Sequence, residues 1–229
     1  MKNISSRLIF FDIETGGLNP KKHPIMQLAA IAVDDQLQPV GAFEAKIHFD
    51  ERKANRNSLR KNHYRRGLWA RAADEPAEVA RKFAQFLRLH ASVPMLASDG
   101  SCYHVAQLAA HNASFDGAFL GSWYERQRRF LPAHRRVLCT LQRAMWYFQE
   151  HPDEPSPDDF KLATLCQYFG VDYHAAHAHD ALADVSATAA LWQAIRKRSL
   201  DSEQFLPVLA IVLYRHIHKP VDLLQAQET

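Results

Sequence analysis

Four carboxylic acids in the sequence have the side-chain type and placement expected of a divalent-metal site. Asp12 and Glu14 end an apolar run at residues 8–11, and Asp116 and Asp184 lie in two later motifs. Side chains of a strand alternate between its faces, so Asp12 and Glu14 point to one face. Four carboxylates held together would raise one another's pKa values unless divalent cations neutralised them. We therefore expect a metal site.

The chemistry that such a site permits is hydrolysis of a phosphodiester. That reaction needs an activated water, an in-line phosphate and a stabilised leaving oxygen, which two metal ions about 3.5–4 Å apart can provide. Asp12 is the candidate bridge between the two ions. Glu14 and Asp184 would complete the ion that activates the water, and Asp116 would serve the other ion.

A general base for this reaction is predicted at His179, at a loop-to-helix junction five residues before Asp184. His174 and His177 are rivals, and only the spacing to Asp184 favours His179. Asp180, one helical turn before Asp184, is interpreted as the helix N-cap.

Asn112 has two open interpretations. Its side chain either belongs to the site or bonds the main chain at the start of a helix that Ser114 is predicted to cap.

The elements that must position these residues read as an α/β fold with a mixed sheet. Apolar runs bounded by turn residues predict strands at 8–14, 27–33, 40–49, 108–111 and 137–140. Helical spacing and capping residues predict helices from Glu75, from Ser114, over 161–169 and over 180–197. We interpret residues 1–198 as one domain and residues 199–229 as a helical extension, packed on the domain or at an interface.

Composition places the chain among ordinary globular proteins. The 229 residues suit one sizeable α/β domain, and the formal net charge of +3 permits contact with phosphates without requiring it. Three widely spaced cysteines argue against a disulfide framework and a structural zinc site. We find no signal-peptide core and no stretch long enough to span a bilayer, so we expect a cytoplasmic protein without a membrane partner.

Residues 52–71, which we call the basic strip, hold eight Lys or Arg and no Asp or Glu. Tyr64 and Trp69 are interleaved, a combination that suits a polyanion offering bases to stack on. The alternative is a solvated helix face, since most charge runs are that. The candidate phosphate contacts within the strip are Arg60, Lys61, Arg65 and Arg66.

Three segments together resemble the DEDDh, or DnaQ-like, 3′→5′ exonucleases. They are residues 10–18 (FFDIETGGL), 110–116 (AHNASFD) and 178–184 (AHDALAD). Each motif alone is weak, but the three in order at family-like intervals are specific. The resemblance covers residues 7–197. Within the family, the sequence looks most similar to ribonuclease T and to the proofreading subunit of bacterial replicative polymerases.

The resemblance implies an RNase H-like fold with a central mixed sheet of five strands flanked by helices. It implies two Mg²⁺ or Mn²⁺ ions held by the four carboxylates, His179 as the catalytic histidine, and release of mononucleotides from 3′ ends of single-stranded DNA or RNA. It further implies that the main chain at Thr15 and Gly16 meets the terminal 3′-hydroxyl and that Leu18 presses on the terminal bases. A homodimer or a polymerase-type partner is also implied.

Two other functions are considered. One is a catalytically silent module on the same fold that binds 3′ ends or proteins, although every expected carboxylate is present. The other is an RNase H-like endonuclease or transposase, which has no need of the His179 spacing or of the Asn112 segment. The residues leave the choice between ribose and deoxyribose substrates open.

Overall fold

The fold is a mixed sheet with helices on both faces, seen in a computed structural model that describes residues 7–173 and 180–203. Its strands there are β1 (Leu8–Thr15), β2 (Ile25–Val33), β3 (Pro39–Ile47), β4 (Ala73–Asp74), β5 (Val93–Leu96), β6 (Cys102–Val105), β7 (Gln107–Ala110) and β8 (Leu138–Cys139). Its α-helices there are α1 (Arg56–Lys61), α2 (Arg66–Ala72), α3 (Pro76–Leu89), α4 (Ala113–Arg126), α5 (Thr140–Glu150), α6 (Leu162–Tyr168) and α7 (Ala181–Glu203). The predicted α/β class is confirmed.

The main sheet has the strand order β4-β3-β2-β1-β7-β8. The first three strands pair as antiparallel neighbours, and β7 pairs parallel with β1 and with β8. All five predicted strands are present, and the two-residue β4 extends the β3 edge. The β5–β6 hairpin forms a separate sheet that the sequence analysis missed, because its four-residue strands are mostly exposed and carry no long apolar run.

The central strand β1 is covered on both faces, which explains its continuous apolar run. Ile9 and Phe11 are fully buried in a core shared with α3 and α4. Phe10 points to the other face, where its ring lies 5.9 Å from that of Trp192 in α7. Each such side chain stabilises the fold by roughly 1.5–3 kcal/mol, so β1 is held rigidly between two helical layers.

Two helix ends differ from the sequence-based predictions. The N-cap of α4 is Asn112 in the left-handed conformation (φ 57°, ψ 49°), whereas Ser114 lies inside the first turn and is not the cap. Asn tolerates this conformation better than most residues. The other difference is that α7 continues to Glu203, six residues beyond its predicted end at residue 197.

The predicted extension at 199–229 therefore begins inside α7, and residues 204–229 lie outside the described part of the chain. Among the helices of the described residues, none combines the length and apolar character needed to cross a bilayer.

Candidate active site

Strand β1 carries Asp12 and Glu14 at its C-terminal end. Both side chains lie on the same strand face as Phe10, the face that α7 covers. Glu14 is 7% exposed and Asp12 is half-buried. The pairing with β2 becomes irregular between Glu14 and Thr15. The strand therefore ends directly after the two carboxylate residues.

Helix α7 brings Asp184 to the same place. The Asp180 carboxylate accepts hydrogen bonds from the amides of Leu182 (3.0 Å) and Ala183 (3.3 Å), which makes Asp180 the predicted N-cap. Asp184 follows one turn later. One carboxylate oxygen from each of Asp12, Glu14 and Asp184 lies within 4.8 Å of the others, a separation that a single cation can bridge.

Helix α4 supplies the fourth carboxylate. Asp116 lies in its first turn and is 4% exposed. The strand before this helix, β7, pairs parallel with β1, so the start of α4 arrives beside the end of β1. The charges of Asp12 and Asp116 interact, as do those of Asp116 and Asp184. Asp116 thus borders the three-carboxylate cluster from the opposite layer of the fold.

Burial and mutual repulsion oppose ionisation of this cluster. Burial, followed by the charges of Asp116 and Glu14, raises the pKa of Asp12 well above its ordinary value. Burial and Asp184 raise the pKa of Glu14 to about 8, although the Lys61 ammonium opposes that rise. Burial also raises the pKa of Asp116 to about 8, against main-chain hydrogen bonds that lower it. The group therefore needs protons or a cation at neutral pH, and carboxylate oxygens are ligands that hard divalent ions prefer.

The carboxylates line a cavity of about 230 Å³ that is open to the surface. Its other lining residues are Ile13, Thr15, Leu18, Ser58, Lys61, Asn62, His111, Asn112 and Phe115. Leu18 is 82% exposed, which leaves its side chain free to contact a bound molecule. Of the predicted substrate contacts, the structure therefore places Thr15, Leu18, Asn112 and Lys61 around the carboxylates.

The other predicted contacts lie elsewhere. Gly16 has both main-chain polar groups engaged, since its amide donates to Pro24 (2.9 Å) and its carbonyl accepts from the Asn55 amide (2.7 Å). Arg60 and Arg65 are exposed. His179, with its rivals His174 and His177, lies outside the described residues.

The basic strip does not form one surface. The guanidinium of Arg66 pairs with Glu51 at 3.0 Å, and the Tyr64 hydroxyl donates to the same carboxylate at 2.7 Å. The Trp69 ring is 7% exposed and packs 5.3 Å from that of Tyr64. The interpretation of Trp69 as a stacking surface is wrong, because the ring is buried within the protein.

Two cavity residues that the sequence analysis did not assign are structural. The Asn62 amide group donates to the carbonyl of Thr15 at 3.0 Å and so holds the end of β1 against α1. His111 donates from Nε2 to the carbonyl of Phe160 (3.0 Å) and accepts at Nδ1 from the Thr140 hydroxyl (2.8 Å). Burial lowers the pKa of His111, so the ring is neutral and fixed.

The Tyr173 hydroxyl donates a hydrogen bond to Oδ1 of Asp184 at 2.5 Å. The sequence analysis missed this contact as well. Tyr173 lies eleven residues before Asp184, outside the three motifs, and nothing in its local pattern signals the contact.

Comparisons with known proteins agree with this arrangement. A family model described as an exonuclease matches residues 9–98 and 101–192. Ribonuclease T of Haemophilus ducreyi is 27% identical over 207 residues, covering 84% of this chain and 86% of its own. A PolC-type DNA polymerase III of Latilactobacillus sakei subsp. sakei is 26% identical over 204 residues, but the match covers 89% of this chain and only 12% of the polymerase.

The fold is also similar to that of a solved structure, the zinc-bound form of an E. coli exonuclease I complex with single-stranded DNA. The TM-score is 0.66 at 20% identity, and the match covers 93% of this chain and 43% of that one. The family model spans most of the chain and all four carboxylates. The chain therefore belongs to the exonuclease family that the DEDDh motifs indicate.

Proposed function

We propose that this protein is a metal-dependent 3′→5′ exonuclease that releases mononucleotides from single-stranded nucleic acid. The observation that carries the proposal is the carboxylate cluster, in which Asp12, Glu14 and Asp184 converge within 4.8 Å and Asp116 borders them. The cluster opens into a surface cavity where a chain end can enter. The structurally similar exonuclease I was solved in complex with single-stranded DNA, which supports a single-stranded nucleic acid as the substrate.

The carboxylates fit two divalent ions, Mg²⁺ or Mn²⁺. Asp12 would bridge them, because its charge interacts with those of all three other carboxylates. Glu14 and Asp184 would share one ion with Asp12, and Asp116 would hold the second. Bound ions would supply the positive charge that lowers the pKa of a water and stabilises the leaving oxygen.

The remaining residues would orient the substrate and move the proton. His179, five residues before Asp184, would accept the proton of the attacking water. Lys61 lies close enough to the carboxylates to affect the pKa of Glu14, and its ammonium would contact a substrate phosphate. Leu18 and Asn112 would contact the terminal nucleotide from the rim of the cavity.

The test compares matched 3′-labelled and 5′-labelled linear RNA, single-stranded DNA and duplex DNA, together with internally labelled circular DNA, each with Mg²⁺. We expect the label to be released at once as a mononucleotide from 3′-labelled linear strands and only at the end of digestion from 5′-labelled ones, and circles to remain intact. Cleavage of circles would instead support an endonuclease. The ratio of the rates on RNA and DNA decides the sugar preference.

The same assay includes two variants. Asp12→Ala should abolish cleavage, because the bridging carboxylate organises both ions. His179→Ala should slow turnover by about 10²–10⁴-fold, the usual contribution of a general base, whereas His177→Ala should have a mild effect. Substantial Mg²⁺-dependent cleavage by folded Asp12→Ala protein would contradict the two-metal proposal.

A further inference from the structure

A second basic segment lies outside the basic strip, near the C-terminal end of α4. Residues 126–136, between α4 and β8, hold five arginines and no acidic residue. Arg129, Arg135 and Arg136 are exposed, and among the described residues no ion pair involves them. Unpaired arginines keep their full capacity to bind phosphate.

Arg129 and Arg135 border a groove of about 770 Å³ that runs along α4. Asn112 lines both this groove and the carboxylate cavity, so the two lie next to each other. The groove extends along the helix from Ser114 to Glu125, a length of about 16 Å at 1.5 Å per residue. A stacked strand advances about 3.4 Å per nucleotide, so the groove has room for several nucleotides.

The lining of the groove suits an unpaired strand. The side chain of Phe130, which lines the groove, is 62% exposed. Its ring can stack on a base that has no pairing partner. Gly121 lies on the α4 wall, and a Cβ atom there would meet no other atom within 4 Å. The surface of α4 therefore has no side chain at this position, which leaves space for a bound strand.

We propose that this groove, which we call the α4 groove, binds the single-stranded part of the substrate upstream of its 3′ end. The inference rests on the proposed exonuclease function, and it names the substrate as a single strand several nucleotides long. Arg129 and Arg135 contact its phosphates, and Phe130 stacks on a base. The strand then reaches the carboxylates past Asn112.

The test measures binding of fluorescent single strands, from a dinucleotide to a dodecamer, by anisotropy with EDTA present. Wild-type affinity should increase with length until the groove is filled. The double variant Arg129→Ala/Arg135→Ala should lose most of that increase. Its plot of log affinity against log salt should become shallower by about 1.4, since each phosphate contact on a single strand contributes about 0.7.

Two further variants test the contributions of base stacking and of free space in the groove separately from that of the arginine charges. Phe130→Ala should weaken binding of the dodecamer by about tenfold and leave the affinity for a blunt duplex unchanged. Gly121→Leu places a side chain in the groove at a position where a Cβ atom meets no neighbouring atom within 4 Å, and it should weaken binding of the longer strands only.

The matched control is Arg196→Ala/Lys197→Ala, which removes two exposed charges from α7 on the opposite face of the sheet. It should bind like the wild type. If the salt slope and length dependence of the α4-groove variants equal those of this control, the proposal is overturned. Binding in EDTA needs no cleavage, so a failure of the nuclease proposal would be seen separately.

Discussion

At the scale of single residues, Tyr173 shows how a neighbour can orient a predicted metal ligand. Its hydroxyl donates to one carboxylate oxygen of Asp184, and this hydrogen bond restricts the rotation of the carboxylate. Mutation of a residue that hydrogen-bonds to a metal ligand commonly lowers metal affinity by about 10–100-fold. Tyr173 is therefore a positioning residue in the proposed metal site.

We expect Tyr173→Phe to weaken Mn²⁺ binding by about tenfold with little loss of metal-free stability, because the ring and its packing remain. Calorimetric titration with Mn²⁺ and no substrate measures this directly. Tyr168→Phe is the control, since its hydroxyl donates to Glu154 (2.9 Å) and not to a predicted ligand. Equal Mn²⁺ affinities for the two variants would remove Tyr173 from the site.

At the scale of elements, α1 divides the basic strip into two kinds of residue. Both Arg60 and Lys61, the last two residues of the helix, are exposed, but only Lys61 lines the carboxylate cavity. A short helix thus presents one basic residue to the proposed chemistry and another to the surroundings, and the two should affect catalysis differently.

We expect Lys61→Ala to slow cleavage of even a dinucleotide by about 10–100-fold, the value of one hydrogen bond to a charged group. Arg60→Ala/Arg65→Ala should weaken only long substrates and make their salt dependence shallower. Steady-state rates on substrates of two lengths at two salt concentrations test both. An unchanged salt dependence for the double variant would indicate that Arg60 and Arg65 do not contact the substrate and belong to a solvated helix face.

The elements also show what the sequence can and cannot predict. Strand β1 and the start of helix α3 were predicted almost to the residue, because apolar periodicity and capping residues are local signals. The β5–β6 hairpin was missed because its short, mostly exposed strands carry no long apolar run. The burial of Trp69 was missed because it depends on side-chain packing that the charge pattern of the strip does not reveal. The carboxylates were predicted from their motifs, whereas the Tyr173 contact depends on a loop path that no periodicity encodes.

At the scale of the whole molecule, the carboxylate cluster links stability to pH and to metal. The folded-state pKa values of Glu14 and Asp116, each about 8, exceed the values near 4 of unfolded chains. Their contribution to the free energy of unfolding is therefore complete below about pH 4 and is lost as pH rises toward about 8. A bound divalent cation would offset this loss, since it stabilises the ionised form.

We expect the melting temperature of the metal-free protein to decrease between pH 5 and pH 8, and 10 mM Mg²⁺ to restore several degrees at pH 8. For a chain of this size, each kcal/mol shifts the melting temperature by about 2–4 °C. Differential scanning calorimetry of the wild type and Glu14→Gln checks this, because the amide cannot ionise and should flatten the pH dependence. A wild-type profile no steeper than that of Glu14→Gln would contradict the assignment.

The distribution of the four carboxylates along the chain sets the timing of their assembly during synthesis. Asp12 and Glu14 leave the ribosome early on β1, whereas Asp184 follows 172 positions after Asp12. At about 5–20 residues per second, that interval lasts roughly 10–30 s. Throughout it, the nascent chain lacks the complete carboxylate set, and the messenger being translated does not meet an assembled nuclease site. The packing of α7 onto β1 therefore completes the carboxylate cluster.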